Sequence, residues 1–476
     1  MQAFVGIMCF LALQSNLKII INQPGITNNH MRYFMKTYRP HIIVALIILF
    51  AGFGFWFFNS WGELEKPAVL LDQDITAIGR SKTFNISFTD RKSGLRNSTV
   101  TMAQDNQTQV LSSLNYADSV TRESNVSITV DPLAMKLHEG PATINISATD
   151  NSLWKNETTL AIQVNIDFVP PQIFLLTSTN NINPGGTCVI LYRTSKPVIS
   201  SGVKVENNFS PGYATTISDK PCIISYFSLP MDARHGGIAI KVIARDQAGN
   251  EASLALPTLI RNKKFRSDKM TLSENFLQQK MPEFQSHNPV LQGKTPIETF
   301  IYVNTKMREE NDSTIREICK ISNPRQLWEG IFLRMKNAAP MALFGDKRKY
   351  QYQGKTVGES IHMGVDLAST TNAPVEAANN GIVAYAGYLG IYGNFVIIDH
   401  GFAFFTLYGH LNSIDVKKGQ EVRKGDVIAH TGSSGLAGGD HLHFGMLIGG
   451  QFVNPQEWWD AHWIADNVTK KTSVSF

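Results

Sequence analysis

Between residues 66 and 262 the chain repeats short runs in which apolar and polar residues alternate. Residues 83–90, 142–150 and 237–246 are the clearest of these runs, and turn-forming residues follow each one. A period of two residues places the apolar side chains on one face of an extended strand and the polar side chains on the other. The same spacing cannot form the apolar stripe of a helix. The sequence therefore predicts a mainly β chain over this region.

The runs at residues 142–150 and 237–246 resemble each other, and each is followed by a turn and a second strand-like run. This self-similarity predicts two β-sandwich-like modules of immunoglobulin-like size, residues 66–168 and 169–262. Two prolines, at positions 170 and 171, stand near the joint, where they would stop a strand ladder.

Residues 263–335 lose the alternation, and their apolar residues take a looser, helix-like spacing. The pattern predicts a short helical linker region. Two roles stay open for it. It is either a lid or inhibitory element for the segment that follows, or a collar that packs against that segment.

An uncharged apolar run covers residues 42–58. Its 17 residues would form a helix of about 26 Å, which is the short limit for crossing a bilayer. A cleaved signal peptide is the alternative, but no small-x-small cleavage site precedes Asn59. The sequence therefore favours an uncleaved transmembrane helix over residues 41–61.

Basic residues precede this run, at Arg32, Lys36 and Arg39. The positive-inside rule then places residues 1–40 in the cytoplasm and the rest of the chain outside. The expected location is the cell inner membrane, crossed once, with the C-terminal domains facing the periplasm. A translation start at Met31 or Met35 stays an alternative to Met1.

The chain has four cysteines, Cys9, Cys188, Cys222 and Cys319, and none of them has the CxxC spacing of a thiolate zinc site. Cys188 and Cys222 fall in one predicted module, where they are either a disulfide suited to an oxidising compartment or two buried thiols. A net charge of +5 over 476 residues gives little support to nucleic-acid binding, so no nucleic-acid partner is predicted.

One 82-residue window in the C-terminal third contains four histidines and one aspartate at spacings typical of metal ligands. His362 and Asp366 form an HxxxD pattern, His410 follows, and His441 and His443 form an HxH pattern. Alternate residues of a strand share a face, so His441 and His443 point the same way, and one can bind a metal while the other stands beside its water. Two histidines and a carboxylate make an open zinc set whose fourth position is left for water.

Gly364 lies between His362 and Asp366 and would ease a turn that lets both bind one ion. A single histidine in a β domain is more often a hydrogen-bonded residue than a ligand. Five suitable residues in two metal-type spacings favour a metal site instead. The HExxH pattern of helical zinc peptidases is absent from the chain, which excludes that group.

This segment resembles the lysostaphin/LytM-type zinc endopeptidases of peptidoglycan. The matching stretches are HMGVDLA (362–368), APVEAANNGIVAYAG (373–387), GNFVIIDHG (393–401), LYGHL (407–411), VKKGQEVRKGDVIAHTGSSG (416–435) and GDHLHF (439–444). They extend over about 120 residues, a quarter of the chain, and agree with the family in order and spacing. The resemblance implies an antiparallel β peptidase domain over residues 336–463, with a narrow groove over the metal, and a C-terminal tail over residues 464–476.

The resemblance also implies a role for each of the five residues. His362, Asp366 and His443 would hold one zinc ion per chain. His441 would act as the general base for the attacking water or orient that base, and His410 would stabilise the oxyanion of the transition state. Family members cut peptide bonds in peptidoglycan stems or bridges, often next to glycine or D-alanine.

Two other functions stay open. The chain could be a non-catalytic peptidoglycan-binding protein or an activator of another cell-wall hydrolase, although degenerate relatives lack ligands that are all present here. It could also be an adhesin, which would have long β repeats and a dispensable zinc site. The predicted partners are peptidoglycan and, through the N-terminal helix, the inner membrane; which protein partners the chain has is not visible in the sequence.

Overall fold

The computed structural model describes residues 43–56, 64–116, 120–177, 180–234 and 236–473. The chain divides into two compact units, Met1–Ile166 and Asp167–Phe476. Most of the regular structure in the described residues is β-strand, as the sequence predicted, and the helices are few.

Residues 43–56 are helical and largely exposed. The two ends of the predicted transmembrane helix, residues 41–42 and 57–61, lie outside the described residues, as do Cys9 and the predicted cytoplasmic segment. Over the part of the chain that is described, no helix combines the length and the apolar character that crossing a bilayer requires.

The first unit holds eight strands in its described residues. They are β1 Ala68–Leu71, β2 Ala77–Ile78, β3 Lys82–Thr89, β4 Leu95–Gln104, β5 Gln107–Asn115, β6 Glu123–Val130, β7 Gly140–Asp150 and β8 Glu157–Ile166. One sheet has the order β1-β3-β6 and the other β2-β8-β7-β4-β5. Along β3 and β7 buried residues such as Phe84, Ile86, Ile144 and Ile146 alternate with more exposed ones. Each sheet thus buries one face, as in a β-sandwich.

The second unit begins with a mainly antiparallel β region. Its strands are β9 Ile173–Leu175, β10 Asn181–Ile182, β11 Thr187–Thr194, β12 Ser200–Val205, β13 Asn208–Ile217, β14 Lys220–Ser228, β15 Ile240–Arg245, β16 Glu251–Ala255 and β17 Leu259–Ile260. Seven of them form one sheet in the order β16-β15-β12-β13-β14-β11-β9, while β10 and β17 form a separate parallel pair. The pairing of β12 with β13 joins these seven strands into one continuous sheet.

Strand β11 is buried on both of its faces. Cys188, Ile190 and Tyr192 on one face pack in the core of the β region. Val189 and Leu191 on the other face pack in a larger core that continues into the C-terminal part of the chain. A sheet that is covered on both faces has a continuous apolar run instead of an alternating one, and the sequence TCVILY of β11 has that form.

Cys188 and Cys222 are both free thiols. Cys188 pairs with Phe227 across β11 and β14, and Cys222 lies five residues from Phe227 along β14. At about 3.4 Å per residue the two cysteines are about 17 Å apart, well beyond the roughly 7 Å between Cα atoms that a disulfide allows. The alternative of two buried thiols is confirmed.

A strand and three helices link this β region to the C-terminal strands. They are β18 Ser267–Thr271, α1 Glu274–His287, α2 Pro296–Tyr302 and α3 Arg308–Ile318, with a 3₁₀ turn at Pro289–Leu291 and a π-helical turn at Val303–Met307. The helical segment that the sequence predicted is thus present. Ser273 caps α1, and Thr295 and Glu298 form a capping box on α2. Leu277, Met281 and Phe284 form the apolar face of α1 and pack in the larger core.

The C-terminal part is built from twelve strands and short terminal helices. The strands are β19 Ala339–Ala342, β20 Lys347–Tyr352, β21 Lys355–Ile361, β22 Val365–Ala368, β23 Pro374–Glu376, β24 Gly381–Tyr388, β25 Asn394–Gly401, β26 Phe404–Ile414, β27 Glu421–Val422, β28 Val427–Thr431, β29 Leu442–Ile448 and β30 Gln451–Val453. The helices are α4 Gln456–Trp459, α5 Ala461–Ile464 and α6 Lys470–Thr472, with a 3₁₀ turn at Gly390–Tyr392 and a π-helical turn at Ala465–Thr469.

Ten of these strands form one antiparallel sheet. Its main path runs β19-β22-β29-β26-β25-β24-β27, and β23, β28 and β30 join it at the side. Strand β18 pairs in parallel with β20, and β20 pairs with β21, to make a small separate sheet.

An aromatic cluster joins the β region and the C-terminal sheet into one core. Trp458 is fully buried, and its ring lies 4.6 Å from that of Phe404. Tyr226 of β14 packs edge-on against Phe404 at 4.8 Å, and Trp328 contacts Tyr226, Phe404 and Trp458. Edge-to-face aromatic pairs contribute beyond the area they bury, so this cluster fixes the second unit around the sheet that carries the candidate site.

Glu457 lies beside this cluster and makes hydrogen bonds across the same junction. Its Oε1 accepts a hydrogen bond from Asn183 Nδ2 at 3.1 Å, and its Oε2 accepts one from the backbone N–H of Thr187 at 2.9 Å. Burial raises the pKa of Glu457 to about 7, against the lowering effect of Asn183, Thr187 and Lys263. The carboxyl is therefore expected to titrate near neutral pH.

The contribution of Glu457 to stability should depend on pH. Between pH 4.5 and 7 the native carboxyl keeps a proton that the unfolded carboxyl has released, so stability is lost as pH rises through this range. Compared with Glu457→Gln, the wild type should lose about 3 kcal/mol of unfolding free energy from pH 4.5 to above 7. Urea unfolding of both proteins at several pH values measures this. A difference that does not change with pH would contradict it.

Candidate metal centre

Three neighbouring strands of the large sheet carry the candidate site. Asp366 of β22 stands directly opposite His443 of β29, and Gly409 of β26 pairs with His443 from the other side. His410 follows Gly409 in β26, and His362 comes between β21 and β22. The antiparallel register thus brings residues that are up to 81 positions apart in the sequence to one place.

Three donor atoms form a nearly equilateral triangle at this place. His362 Nε2 lies 2.9 Å from Asp366 Oδ1 and 3.0 Å from His443 Nδ1, and Asp366 Oδ1 lies 3.0 Å from His443 Nδ1. All three residues are buried. Ligands at about 2.0–2.1 Å from a tetrahedral zinc ion are about 3.3 Å apart. The triangle therefore has the size of one face of a zinc coordination tetrahedron.

The protonation of the three groups also fits a cation. His362 Nδ1 lies 3.0 Å from the carbonyl oxygen of Leu343, so Nδ1 carries the proton and Nε2 presents its lone pair. Burial lowers the pKa of His443 to about 4. Burial would raise the pKa of Asp366, but the neighbouring histidines lower it well below its usual value. Three lone pairs that converge in this way repel one another unless a proton or a metal ion lies between them, and a metal ion binds such ligands in their deprotonated forms.

Arg348 holds the second oxygen of Asp366. Its Nη2 lies 3.1 Å from Asp366 Oδ2, on the side away from the histidines, which all contact Oδ1. A partner of this kind fixes the orientation of a metal-binding carboxylate. No sequence pattern indicated Arg348, because it lies in a strand of alternating residues without any metal-type spacing.

Gly364 is required for space and not for a special backbone angle. Its φ lies outside the left-handed region, so this position does not need the backbone freedom by which glycine was predicted to ease a turn. A Cβ atom there would lie 2.7 Å from His443 Nε2 and 2.5 Å from the carbonyl oxygen of Phe444. Only glycine lets the chain between His362 and Asp366 pass this close to His443.

His410 stands beside the triangle in an unusual backbone conformation. Its φ is +62°, a left-handed value that costs a non-glycine residue about 1–2 kcal/mol. Such conformations cluster at functional sites, where the surroundings hold them in place. The ring is buried, and its Nδ1 donates a hydrogen bond to the carbonyl oxygen of Ser434 at 2.9 Å. Burial and the nearby His441 and His443 lower the pKa of His410 well below its usual value.

His441 completes the group. Its ring centre lies 4.8 Å from that of His410, and its Nε2 lies 3.6 Å from Asp366 Oδ1. Its Nδ1 donates a hydrogen bond to the carbonyl oxygen of Gly439 at 2.8 Å. Burial lowers the pKa of His441, but Asp366 and Gly439 raise it by more, so the net shift is upward. The structure thus places all five predicted residues at one site, with three of them in contact and two beside them.

A cavity of about 670 Å³ opens over these five residues. This is within the usual range of ligand pockets, roughly 300–1,000 Å³. Its walls combine apolar side chains with three arginines (Phe276, Phe300, Ile391, Leu436, Arg266, Arg308 and Arg348). The helical region supplies one of these walls, so it borders the site; whether it acts as a lid or as a collar stays a prediction.

His400 lies apart from the site. The ring is fully buried, and its two nitrogens hydrogen bond to the Asn380 carbonyl oxygen and to Thr406 Oγ1, each at 2.7 Å. Burial lowers its pKa to about 4. His400 therefore connects neighbouring strands as a neutral ring.

Comparison with known proteins matches residues 360–455 to Peptidase family M23. The DD-carboxypeptidase/endopeptidase Mpg of Neisseria meningitidis serogroup B is 42% identical over 95 residues, which are 20% of this chain and 22% of Mpg. The peptidoglycan DD-endopeptidase ShyB of Vibrio cholerae is 39% identical over 105 residues, which are 22% of this chain and 24% of ShyB.

Among solved structures, the catalytic domain of lysostaphin from Staphylococcus simulans is 26% identical with a TM-score of 0.22, over 26% of this chain and 92% of that domain. The chain spans about a fifth to a quarter of the length of the curated relatives it matches. The matched segment contains all five residues of the candidate site. Residues 360–455 therefore form a Peptidase M23 domain of the lysostaphin/LytM type.

Proposed function

We propose that the chain is a zinc metalloendopeptidase that hydrolyses peptide bonds in the stem peptides or cross-links of bacterial peptidoglycan. The observation that carries this proposal is the triangle of donor atoms of His362, Asp366 and His443. Two more histidines stand at its edge, inside a cavity large enough for a peptide. The choice of peptidoglycan rests on relatives that are named as DD-endopeptidases.

Zinc held by His362, Asp366 and His443 would act as a Lewis acid that lowers the pKa of a water molecule and polarises the scissile carbonyl group. The two histidines bind through their lone pairs, and Arg348 keeps the carboxylate of Asp366 turned toward them. The burial of the triangle excludes bulk water and strengthens every electrostatic interaction within it.

His410 and His441 would move the proton of the attacking water. Each ring donates from Nδ1 to a backbone carbonyl oxygen, so in its neutral form each has an Nε2 lone pair that can accept a proton. Once protonated, the same nitrogen can donate to the developing oxyanion or to the leaving amine. We assign His441 to the base or its orientation and His410 to stabilising the transition state. Hydrogen bonds to backbone carbonyls fix both rings for these tasks.

A peptidoglycan-binding protein or an activator of another hydrolase is the alternative. Nothing in the site favours it, because every position that the chemistry needs is filled. The two functions differ in one measurable product, since a binder releases no peptide fragments from the wall.

Mass spectrometry of fragments released from purified cross-linked peptidoglycan tests the proposal. The full chain, loaded with zinc, should release fragments with new amino termini, and the fragment masses identify the bond that is cut. His462→Ala is a matched control, because this histidine is 87% exposed and lies outside the cavity over the triangle; it should release the same fragments. A zinc-loaded wild type that binds peptidoglycan without releasing fragments would support the binder instead.

We also propose that the chain is anchored once in the cell inner membrane with its later domains in the periplasm. The support is the uncharged apolar run at residues 42–58 and the basic residues before it. Alkaline phosphatase fused after residue 66 should be active, and the chain should stay with the membrane fraction in alkaline carbonate. Release into the soluble fraction would contradict the anchor.

A further inference from the structure

The cavity over the candidate metal centre is lined by three arginines, and one of them differs from the others. Arg266 forms an ion pair with Asp346 at 2.7 Å, and Arg348 forms one with Asp366 at 3.1 Å. Across the described ranges of the chain, no carboxylate lies at ion-pair distance from Arg308. Arg308 is thus a cation that lines the cavity without a direct counter-ion among the described residues.

The hydrogen bonds of Arg308 are also incomplete. Its Nε is buried and has no hydrogen-bond partner among the residues that the structure describes, while its Nη2 donates to Asn304 Oδ1 at 3.2 Å. Asp312, one turn along helix α3, acts on Arg308 through its charge and not through a direct ion pair. Its Oδ1 accepts a hydrogen bond from the hydroxyl of Tyr392 at 2.9 Å, and burial raises its pKa while the charge of Arg308 lowers it. A buried donor without a partner is unfavourable. Binding of a ligand to Arg308 would therefore cost little free energy.

The backbone around Arg308 is built to hold it there. Arg308 begins helix α3 directly after the π-helical turn Val303–Met307, and π turns are rare and frequent at functional sites. The side chain of Asn304, within that π-helical turn, is itself held in place, because its Nδ2 donates a hydrogen bond to the carbonyl oxygen of Glu359 at 3.2 Å. The guanidinium is therefore positioned by the side chain of Asn304 and by a local distortion of the helix.

We propose that Arg308 binds a carboxylate group of the substrate and so selects peptides that carry a free carboxylate near the scissile bond. A guanidinium offers two parallel N–H donors that match the geometry of a carboxylate. The neighbouring walls at Phe300 and Ile391 suit the aliphatic part of a peptide side chain. This inference rests on the proposed function, since it names the substrate group that the same cavity recognises.

Two synthetic substrates test it with the full zinc-loaded chain. Both are stem peptides joined by a D-alanyl amide bond, one with free carboxylates and the other with carboxamides in their place. The wild type should favour the carboxylate form by about 10- to 100-fold in kcat/KM, mostly through KM, as expected for a charged hydrogen bond. Arg308→Gln should remove this preference by slowing the carboxylate form alone, and Arg308→Lys should restore part of it.

Arg316→Gln is the matched control on the same helix. Its guanidinium packs on the ring of Phe452 and bonds to the carbonyl oxygen of Gly450, and it does not line the cavity; the preference should persist. An equal loss on both substrates in Arg308→Gln would overturn the inference in favour of a structural role.

Calorimetry separates the failure of this inference from the failure of the proposed function. If the wild type cleaves neither peptide, the proposed hydrolysis is wrong, yet binding of both peptides can still be measured. The carboxylate form should then bind about 10- to 100-fold more tightly than the carboxamide form, and this difference should vanish in Arg308→Gln. Equal affinity of the wild type for both peptides would overturn the role of Arg308.

Discussion

Replacing His443 by alanine is expected to remove bound zinc and to abolish the hydrolysis of peptidoglycan. His443 supplies one corner of the donor triangle, and its Nδ1 lies 3.0 Å from each of the other two donor atoms. With the ring gone, only His362 and Asp366 remain as protein ligands for the zinc ion. Structural and catalytic zinc sites use at least three protein ligands. We expect zinc to fall from one per chain to below about 0.1, and activity to fall by at least about 10³-fold.

Metal analysis of the purified full chain, together with fragment release from peptidoglycan, measures both effects. His462→Ala receives the same substitution at an exposed position and should keep one zinc per chain and full activity. His443 is buried, so circular dichroism should accompany the measurement to establish that the variant is folded. A folded His443→Ala protein that keeps one tightly bound zinc ion would show that the ligand assignment is wrong.

The positions of His362, Asp366 and His443 were predictable because strand spacing and the family pattern indicate them. The HxxxD and HxH patterns each place their residues within a few positions of one another. The antiparallel pairing of β22 and β29 then sets Asp366 opposite His443. The β-strands around Phe84 and Ile144 were predictable for a similar reason, since each sheet has one buried face and therefore an alternating sequence.

The residues that support the site were not predictable in the same way. Arg348 and Arg308 reach the cavity from a strand and a helix outside the matched stretches, and no spacing links them to the histidines. The second buried face of β11 was missed because its partners, among them Trp458, lie far along the chain. Contacts of this kind are decided by tertiary packing, which a local sequence pattern does not contain.

The left-handed conformation of His410 also left no trace in the sequence. Histidine has no general preference for a positive φ, although it tolerates one better than most residues. The conformation accompanies the bulged pairing of β26. The register with β25 shifts across His410, between Tyr408 and Leu411, and the register with β28 shifts just after it, between Leu411 and Ser413. This backbone conformation turns the ring of His410 toward His441 and His443. The distortion of the strand therefore determines where the side chain lies.

Replacing His410 by alanine should slow hydrolysis strongly while leaving the zinc in place. His410 contributes no atom to the donor triangle, so metal content should stay at one per chain. Its Nε2 is free to bind the transition state because Nδ1 is held by the Ser434 carbonyl oxygen. Removing one group that stabilises an oxyanion costs about 10²–10³-fold in kcat, and KM should change little because the interaction forms in the transition state.

Two further variants separate the contribution of the His410 imidazole from that of the backbone and test its coupling to His441. His410→Asn tolerates the left-handed φ of +62° better than alanine does, so a similar loss in both variants assigns the effect to the imidazole and not to the backbone. His441→Ala should also keep zinc and lose activity, and the double variant should lose much less than the product of the two single losses, because both rings serve one proton transfer. If His410→Asn retains wild-type kcat, the histidine is a structural residue, and the proton chemistry belongs to His441 alone.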